Sequence, residues 1–323
     1  MAKRFPLTSA DKYINDMLKR FPELNDIEGR CDSMTNENFE FVAQVCRRIN
    51  PLLIYKDVSD ILFNTVVDED LITVSSAPIW SRWRECRHVY RFDKTMSNEL
   101  YETTPCDNMP TDALEMLPYP IIYIDVDYNL PLWSGSSVAG RGLFVWKESE
   151  EVFVFTSVAR SPMTIPIGDT FGNVIEKLSS GDVKMVDTLR EYGYETANID
   201  AISHSRLKKH VGWILNLILY IIADNSDQEI IYRPSGNRKR KNKASESTVH
   251  EVGAVMGRKL GAARVRYEHG KATGTGTKLR PHVRAGHWHR HWIGSGDKRK
   301  LKVMWHEPTF VNAGEATTTI HTV

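Results

Sequence analysis

The sequence predicts an α+β protein in which a mainly helical N-terminal region precedes a domain of mixed strands and helices. Apolar residues recur at helical spacing near the N-terminus, whereas the middle of the 323-residue chain holds short β-branched and aromatic runs separated by Pro, Gly, Ser and Glu. The composition, 41% hydrophobic and 26% charged, is that of a globular protein. We assign residues 1–110 to the helical region and residues 111–323 to the mixed domain.

The N-terminal region is predicted to contain helices at residues 8–21 and 35–49, because apolar side chains there recur every three or four positions. Thr8 and Ser9 are candidate caps of the first helix. Further on, the strand-like runs are at residues 119–128, 140–148, 151–159 and 163–168. Helices are then predicted at residues 169–178, 181–194 and 205–224.

The longest apolar run, residues 211–223, is too short to cross a bilayer, which takes about 18 to 20 residues. It also contains Asn216, so we predict a buried helix and expect no membrane partner. A short strand at residues 229–233 leads into a polar, basic loop at residues 234–247. A glycine-punctuated helix, or a helix and strand, is predicted at residues 252–269, and strand character returns at residues 300–312.

The cysteine pattern and the N-terminus favour a reducing cytosol. Cys31, Cys46, Cys86 and Cys106 form no CxxC pair, which argues against a disulfide framework and against a thiolate zinc site. The first residues contain no apolar stretch of the kind found in secretory signals.

Charge is segregated along the chain. Residues 233–302 contain 19 Lys and Arg against four Asp and Glu, whereas the rest of the chain contains 23 bases and 37 acids. Two interpretations are open: a basic surface for an anionic partner, most obviously nucleic acid, or neutralisation of this region by the acidic remainder of the protein.

The segment RPHVRAGHWHRHW, residues 280–292, holds the candidate site residues. If it is extended, His287, His289 and His291 point to one face and Trp288, Arg290 and Trp292 to the other. The histidines could hold a metal with help from His282 or His306, or could instead form structural hydrogen bonds; we expect no metal and no cofactor. The other face could stack nucleic-acid bases, but we expect its tryptophans to be core residues. The candidates for peptide or nucleic-acid binding are Arg280, His282, Arg284, His287, Trp288, His289, Arg290 and Trp292.

A catalytic site is not favoured. Asp125 and Asp127 share one face of a predicted strand, but without a recognisable third acid we expect them to cap turns or to pair with the basic C-terminal region. No nucleophile elbow or phosphate-binding glycine motif is present. A metal-dependent nuclease that combines the histidines with these aspartates, or a simple RNA-binding protein, remains the alternative.

The same C-terminal segment resembles the signature of a type V-A anti-CRISPR family carried by phages and other mobile genetic elements. The matching residues are Arg280, Pro281, His282, Gly286, His287, Trp288, His289, Trp292, Gly294, Gly296, Trp305, Pro308, Phe310, Val311 and Asn312. Weaker similarity extends upstream, so the resemblance covers about residues 118–314.

The resemblance implies an inhibitor without a known catalytic site. Members of this family look like proteins that bind the N-terminal peptide of the type V-A effector nuclease, also during its translation, and lower its expression through loss of its mRNA. The partner that the resemblance implies is that nascent peptide, in the cytoplasm of the bacterial host. Separately, the charge asymmetry would fit a basic surface that faces the ribosome or the mRNA.

Overall fold

The computed structural model describes residues 8–20, 79, 82–83, 86–105, 107–131, 137–156, 163–179, 201–234, 247–273, 282–295 and 299–311. Within them a seven-stranded mixed sheet forms the centre, in the spatial order β5-β4-β3-β2-β1-β7-β6. Its strands are β1 (His88–Phe92), β2 (Ile121–Pro131), β3 (Ser137–Glu148), β4 (Glu151–Thr156), β5 (Met163–Pro166), β6 (Gln228–Tyr232) and β7 (Thr248–Val252). The α+β prediction is confirmed, and the predicted strands of the middle region and β6 are present.

β1 pairs in parallel with both β2 and β7, and the other strand pairs of this sheet are antiparallel. It lies in the part of the chain that we expected to be mainly helical. HVYRF has no hydrophobic alternation, because both faces of this short central strand are covered: Val89, Tyr90 and Phe92 are all buried.

The described helices are α1 (Ser9–Arg20), α2 (Lys94–Glu102), α3 (residues 171–179), α4 (Ala201–Ile222) and α5 (Ala254–Thr273), with a 3₁₀ helix at Thr111–Met116. α2 begins where the Asp93 carboxylate accepts a hydrogen bond from the Met96 amide at 3.0 Å. α1 and α4 confirm predicted helices. The helices predicted at residues 35–49 and 181–194, and residues 235–246 of the predicted basic loop, lie outside the described residues.

Two apolar cores cover the two faces of the sheet. α2, α3, α4 and the 3₁₀ helix pack on one face, where almost every residue of α4 from His210 to Ile221 is buried. α1 packs on the other face, where Ala10 and Ile14 contact a smaller core that includes Trp83 and Phe144. None of the helices in the described ranges is long and apolar enough to span a membrane.

Two small antiparallel sheets complete the described C-terminal part. β8 (His282–Arg284) pairs with β11 (Thr309–Val311), and β9 (His287–Ile293) pairs with β10 (Lys300–His306). The β9–β10 hairpin packs on the first core through Trp288, Val303 and Trp305. This packing places the predicted site segment against α4.

Candidate functional site

The β9–β10 hairpin separates its side chains onto two faces, as the period-two pattern of the sequence predicted. Trp288 lies opposite Trp305 and Arg290 opposite Val303, on the side that faces the core. The alternate pairs, which include His287 with His306 and His291 with Lys302, lie on the outward side.

A buried hydrogen-bond network fixes the core-facing side. Trp288 is 5% exposed and donates through Nε1 to Asn216 Oδ1 at 2.9 Å. Asn216 is fully buried in α4, and its Nδ2 donates to the carbonyl oxygens of Leu100 and Thr103 at 2.8 Å each. One amide group thus connects β9, α4 and the end of α2, and all of its hydrogen-bonding groups are paired.

Trp305 is anchored by the turn after α4. Its backbone amide donates to Asn225 Oδ1 at 3.0 Å and its carbonyl oxygen accepts from Asn225 Nδ2 at 2.7 Å. A side chain at position 286 would come within 2.8 Å of the Trp305 ring, so glycine is required there. Gly286, Trp288 and Trp305 therefore serve packing.

On the outward side lie His287, His289, His291, Lys300, Lys302 and His306, which we call the histidine face, together with exposed Ile293 and half-buried Met304. The ring centroid of His289 lies 4.3 Å from that of His306 and 5.1 Å from that of His287. The His287 and His306 rings are stacked with their centroids 5.2 Å apart. All four histidines are exposed. Burial and then the neighbouring histidines lower the pKa of His306, because each disfavours a positive charge there.

The remaining candidate residues are dispersed. Trp292 is 55% exposed, so our expectation that it is a core residue was wrong: it lies at the tip of the hairpin, beyond the core that holds Trp288. Arg290 donates to the Asn108 carbonyl oxygen, and Arg284 is exposed on β8. Arg280 and the side chain of His282 lie outside the described residues.

Metal ligation finds no geometric support in this part of the molecule. Over the described ranges, no group of three or more His, Cys, Asp or Glu side chains is arranged to hold an ion. The histidine rings lie side by side along the two strands.

The basic region is only partly neutralised by acids. Arg264 pairs with Glu99, and Lys259 pairs with Glu307 at 2.6 Å. A larger set of bases takes part in no ion pair within the described ranges: Arg258, Arg266, Arg284, Arg290, Arg299, Lys300 and Lys302. Within the described ranges, these bases are therefore not neutralised by the acidic remainder of the protein.

Asp125 is buried in an ion-pair network on the opposite side of the sheet. Arg141 donates to it from Nε at 2.8 Å, Arg91 donates from Nε at 3.3 Å, and Ser9 Oγ donates at 3.2 Å. Burial alone would raise the pKa of Asp125, but the hydrogen bonds and charges of Arg141 and Arg91 outweigh it and lower that pKa.

Asp127 is exposed, and its carboxylate reaches the same Arg141 Nε at 3.8 Å. The two aspartates do share a face, but the described partners of Asp125 come from β1, β3 and α1. The expectation that these carboxylates cap turns or pair with the basic C-terminal region was therefore wrong for Asp125. Buried carboxylates are paired with the nearest cations in the fold, and sequence separation gives no indication of which cations those are.

Above this network lies a cleft of about 490 Å³ that sequence reasoning missed. It lies between α1 and β3, and it is lined by Ser9, Tyr13, Tyr123, Ala139, Gly140, Arg141, Gly142 and Phe144. The Tyr13 and Phe144 rings are 5.8 Å apart, and the Tyr123 hydroxyl donates to the Arg141 carbonyl oxygen at 3.1 Å. Aromatic side chains thus form its walls, and the half-exposed Arg141 side chain lies at its rim.

The Gly-Arg-Gly run on β3 shapes the cleft. Gly142 has a φ of +80°, and a side chain there would collide with the Tyr123 hydroxyl at 1.7 Å. It lies opposite a shift in the β2–β3 register between Ile124 and Asp127. Two glycines inside a strand pattern are the signal that could have indicated this site, since they mark a bulge or a close approach.

Comparison with known proteins identifies a family. The family model described as the anti-CRISPR type V subtype A2 family matches residues 90–313. A solved structure described as "Crystal structure of AcrVA2" resembles the chain with a TM-score of 0.56 and 16% sequence identity, over 95% of this chain and 100% of that chain. No curated protein matches the chain. At this identity the structural likeness shows a shared fold.

Proposed function

Since the chain belongs to the anti-CRISPR type V subtype A2 family, we propose that it binds the N-terminal peptide of a type V-A CRISPR effector nuclease during translation and lowers the nuclease's expression through loss of its mRNA. An inhibitor of this kind needs a surface that recognises a short peptide. It needs no catalytic group of its own.

The cleft between α1 and β3 is the observation that carries the proposal. Ligand sites are concave, have volumes of roughly 300–1,000 Å³, and combine apolar walls with a few polar groups. The cleft has this size, with the rings of Tyr13, Tyr123 and Phe144 as walls and Arg141 as the polar group. Apolar side chains of a peptide can pack against these rings, and the Arg141 guanidinium can donate to a peptide carbonyl or carboxylate.

The cleft is also held rigidly, which lowers the entropy cost of binding. Asp125 fixes two nitrogens of the Arg141 guanidinium, with the second bond running from Nη2 at 3.2 Å. Tyr13 contacts both Phe144 and Phe155 of the core beneath. The peptide would therefore meet side chains that are already in place.

An occluding substitution tests the proposal. Ala139 lines the cleft from an exposed strand position, so Ala139→Phe adds a ring inside the cleft and removes no contact of the wild type. We expect the affinity for a synthetic peptide of the nuclease N-terminus, measured by fluorescence polarisation, to fall by at least about tenfold, equivalent to 1.4 kcal/mol.

The matched control is Thr309→Phe, which adds the same ring at an exposed position of β11. It should bind the peptide as the wild type does. If Ala139→Phe retains its melting temperature and still binds the peptide with wild-type affinity, the cleft is not the peptide site.

A further inference from the structure

The histidine face and the cleft lie on opposite sides of the central sheet. Trp288, beneath the histidine face, belongs to the core that contains α4, whereas Tyr13 and Phe144 belong with the core that contains α1. A ligand in the cleft thus leaves the histidine face uncovered, and its exposed cationic side chains have no role in the proposed peptide site.

We propose that the histidine face binds single-stranded RNA through the phosphate backbone. Lys300 and Lys302 supply fixed positive charge, and the four histidines supply imidazole N–H donors on the same surface. Among the residues that the structure describes, the face carries no acidic side chain, and the acid next to it along β10, Glu307, is paired with Lys259. The choice of RNA over other polyanions rests on the proposed function, because that function includes the loss of an mRNA.

An exposed indole favours nucleic acid over an acidic polypeptide. Ile293 lies opposite Lys300 on the histidine face at 53% exposure, and Trp292 lies opposite Leu301 on the other face of the hairpin at 55% exposure. An unpaired base of a strand that continues from the histidine face around the edge of β9 can stack on this indole, which is how sequence-tolerant single-strand binders gain affinity. An acidic peptide without aromatic residues offers nothing for the indole to stack on.

The clustered histidines make this binding dependent on pH. The titratable groups that act on His306 are His287, His289 and His291, and burial followed by these histidines lowers the pKa of His306. A bound phosphate stabilises the imidazolium, so binding takes up protons. Binding therefore strengthens as the pH falls.

The first test measures the binding of a fluorescent 20-nucleotide single-stranded RNA to the purified full chain. We expect the double variant Lys300→Gln and Lys302→Gln to bind at least about tenfold more weakly at low salt, and the slope of log K against log salt to decrease by about 1.4, or 0.7 for each lost phosphate contact. The control, Lys12→Gln with Lys19→Gln, removes the same charge from exposed positions on α1 and should bind as the wild type does.

The second test varies pH. Wild-type affinity for the RNA should rise by at least about fivefold between pH 7.5 and pH 5.5. The double variant His289→Gln and His306→Gln should lose most of this rise. Both side chains are exposed, so the melting temperature should stay at the wild-type value and report that the fold is intact.

Three results would overturn the inference: equal RNA binding by the two lysine double variants, a pH response that survives loss of the two histidines, or displacement of the RNA by polyglutamate at equal charge concentration. Polyglutamate displacement would indicate an acidic polypeptide as the partner. Each result leaves the peptide affinity of the cleft unaffected, so failure here is distinguishable from failure of the proposed function.

Discussion

His210 makes the stability of the protein depend on pH. It is 3% exposed in α4, and its Nε2 has no hydrogen-bond partner among the described residues. Burial lowers the pKa of His210 to about 4. His210 stays neutral in the folded state but is protonated near pH 6.5 in the unfolded chain. The free energy of unfolding therefore has its full value above that pH and decreases as the pH falls toward 4.

We expect this single group to cost roughly 2 kcal/mol of unfolding free energy by pH 5. The substitution His210→Leu should remove that loss, so the difference in unfolding free energy between pH 7.5 and pH 5, measured by urea denaturation, should be smaller in the variant. Buried His250, whose pKa is also lowered to about 4, remains in both proteins and serves as the common background. Equal acid sensitivity of the two proteins would show that His210 can be protonated inside the fold.

The β9–β10 hairpin has a buried part and an exposed tip, and two tryptophans on the same face distinguish them. Trp288→Ala should cost about 3–5 kcal/mol of stability, because a buried ring is lost and Asn216 Oδ1 loses its donor. Trp292→Ala should change stability by less than about 1 kcal/mol, because the side chain is half exposed. Chemical denaturation of the two single variants measures both values, and a stable Trp288→Ala protein would contradict the assignment of Trp288 to the core.

Elements with a strong periodic signal could be predicted from the sequence. β2 to β4 alternate or are continuously apolar over at least six residues, and α4 has an apolar stripe along its length. β1, β7 and α2 could not be predicted in this way. The mixed polar and apolar order of β1 and β7 follows no regular period, because it reflects tertiary contacts on both faces.

Only part of the candidate site could be predicted from the sequence, for a related reason. The alternation of His and Trp in residues 287–292 correctly indicated two faces, but only the position of α4 shows that Trp288 is buried and Trp292 is not. The cleft brings together residues 9 and 13 with residues 123, 139–142 and 144. No local pattern records that proximity, because the sheet and α1 create it.

On the scale of the whole molecule, the central sheet separates two surfaces of different chemistry. The cleft is aromatic and carries one arginine that is already paired with Asp125, which suits a short peptide. The histidine face is cationic, and its bases have no acidic partner in the described ranges, which suits a polyanion. The proposed peptide site and the proposed RNA site therefore lie on opposite faces of the central sheet.

The most direct test of the account uses a reporter that begins with the N-terminal segment of a type V-A effector nuclease fused to a fluorescent protein, expressed with and without this chain. One version of the segment is recoded with synonymous codons, and another keeps the nucleotide composition but is frameshifted so that the peptide changes. The account predicts that this chain lowers the mRNA and fluorescence of the original and recoded reporters, spares the frameshifted reporter, and loses its effect with Ala139→Phe. Loss of the frameshifted message, or survival of the recoded message, would contradict recognition of the peptide.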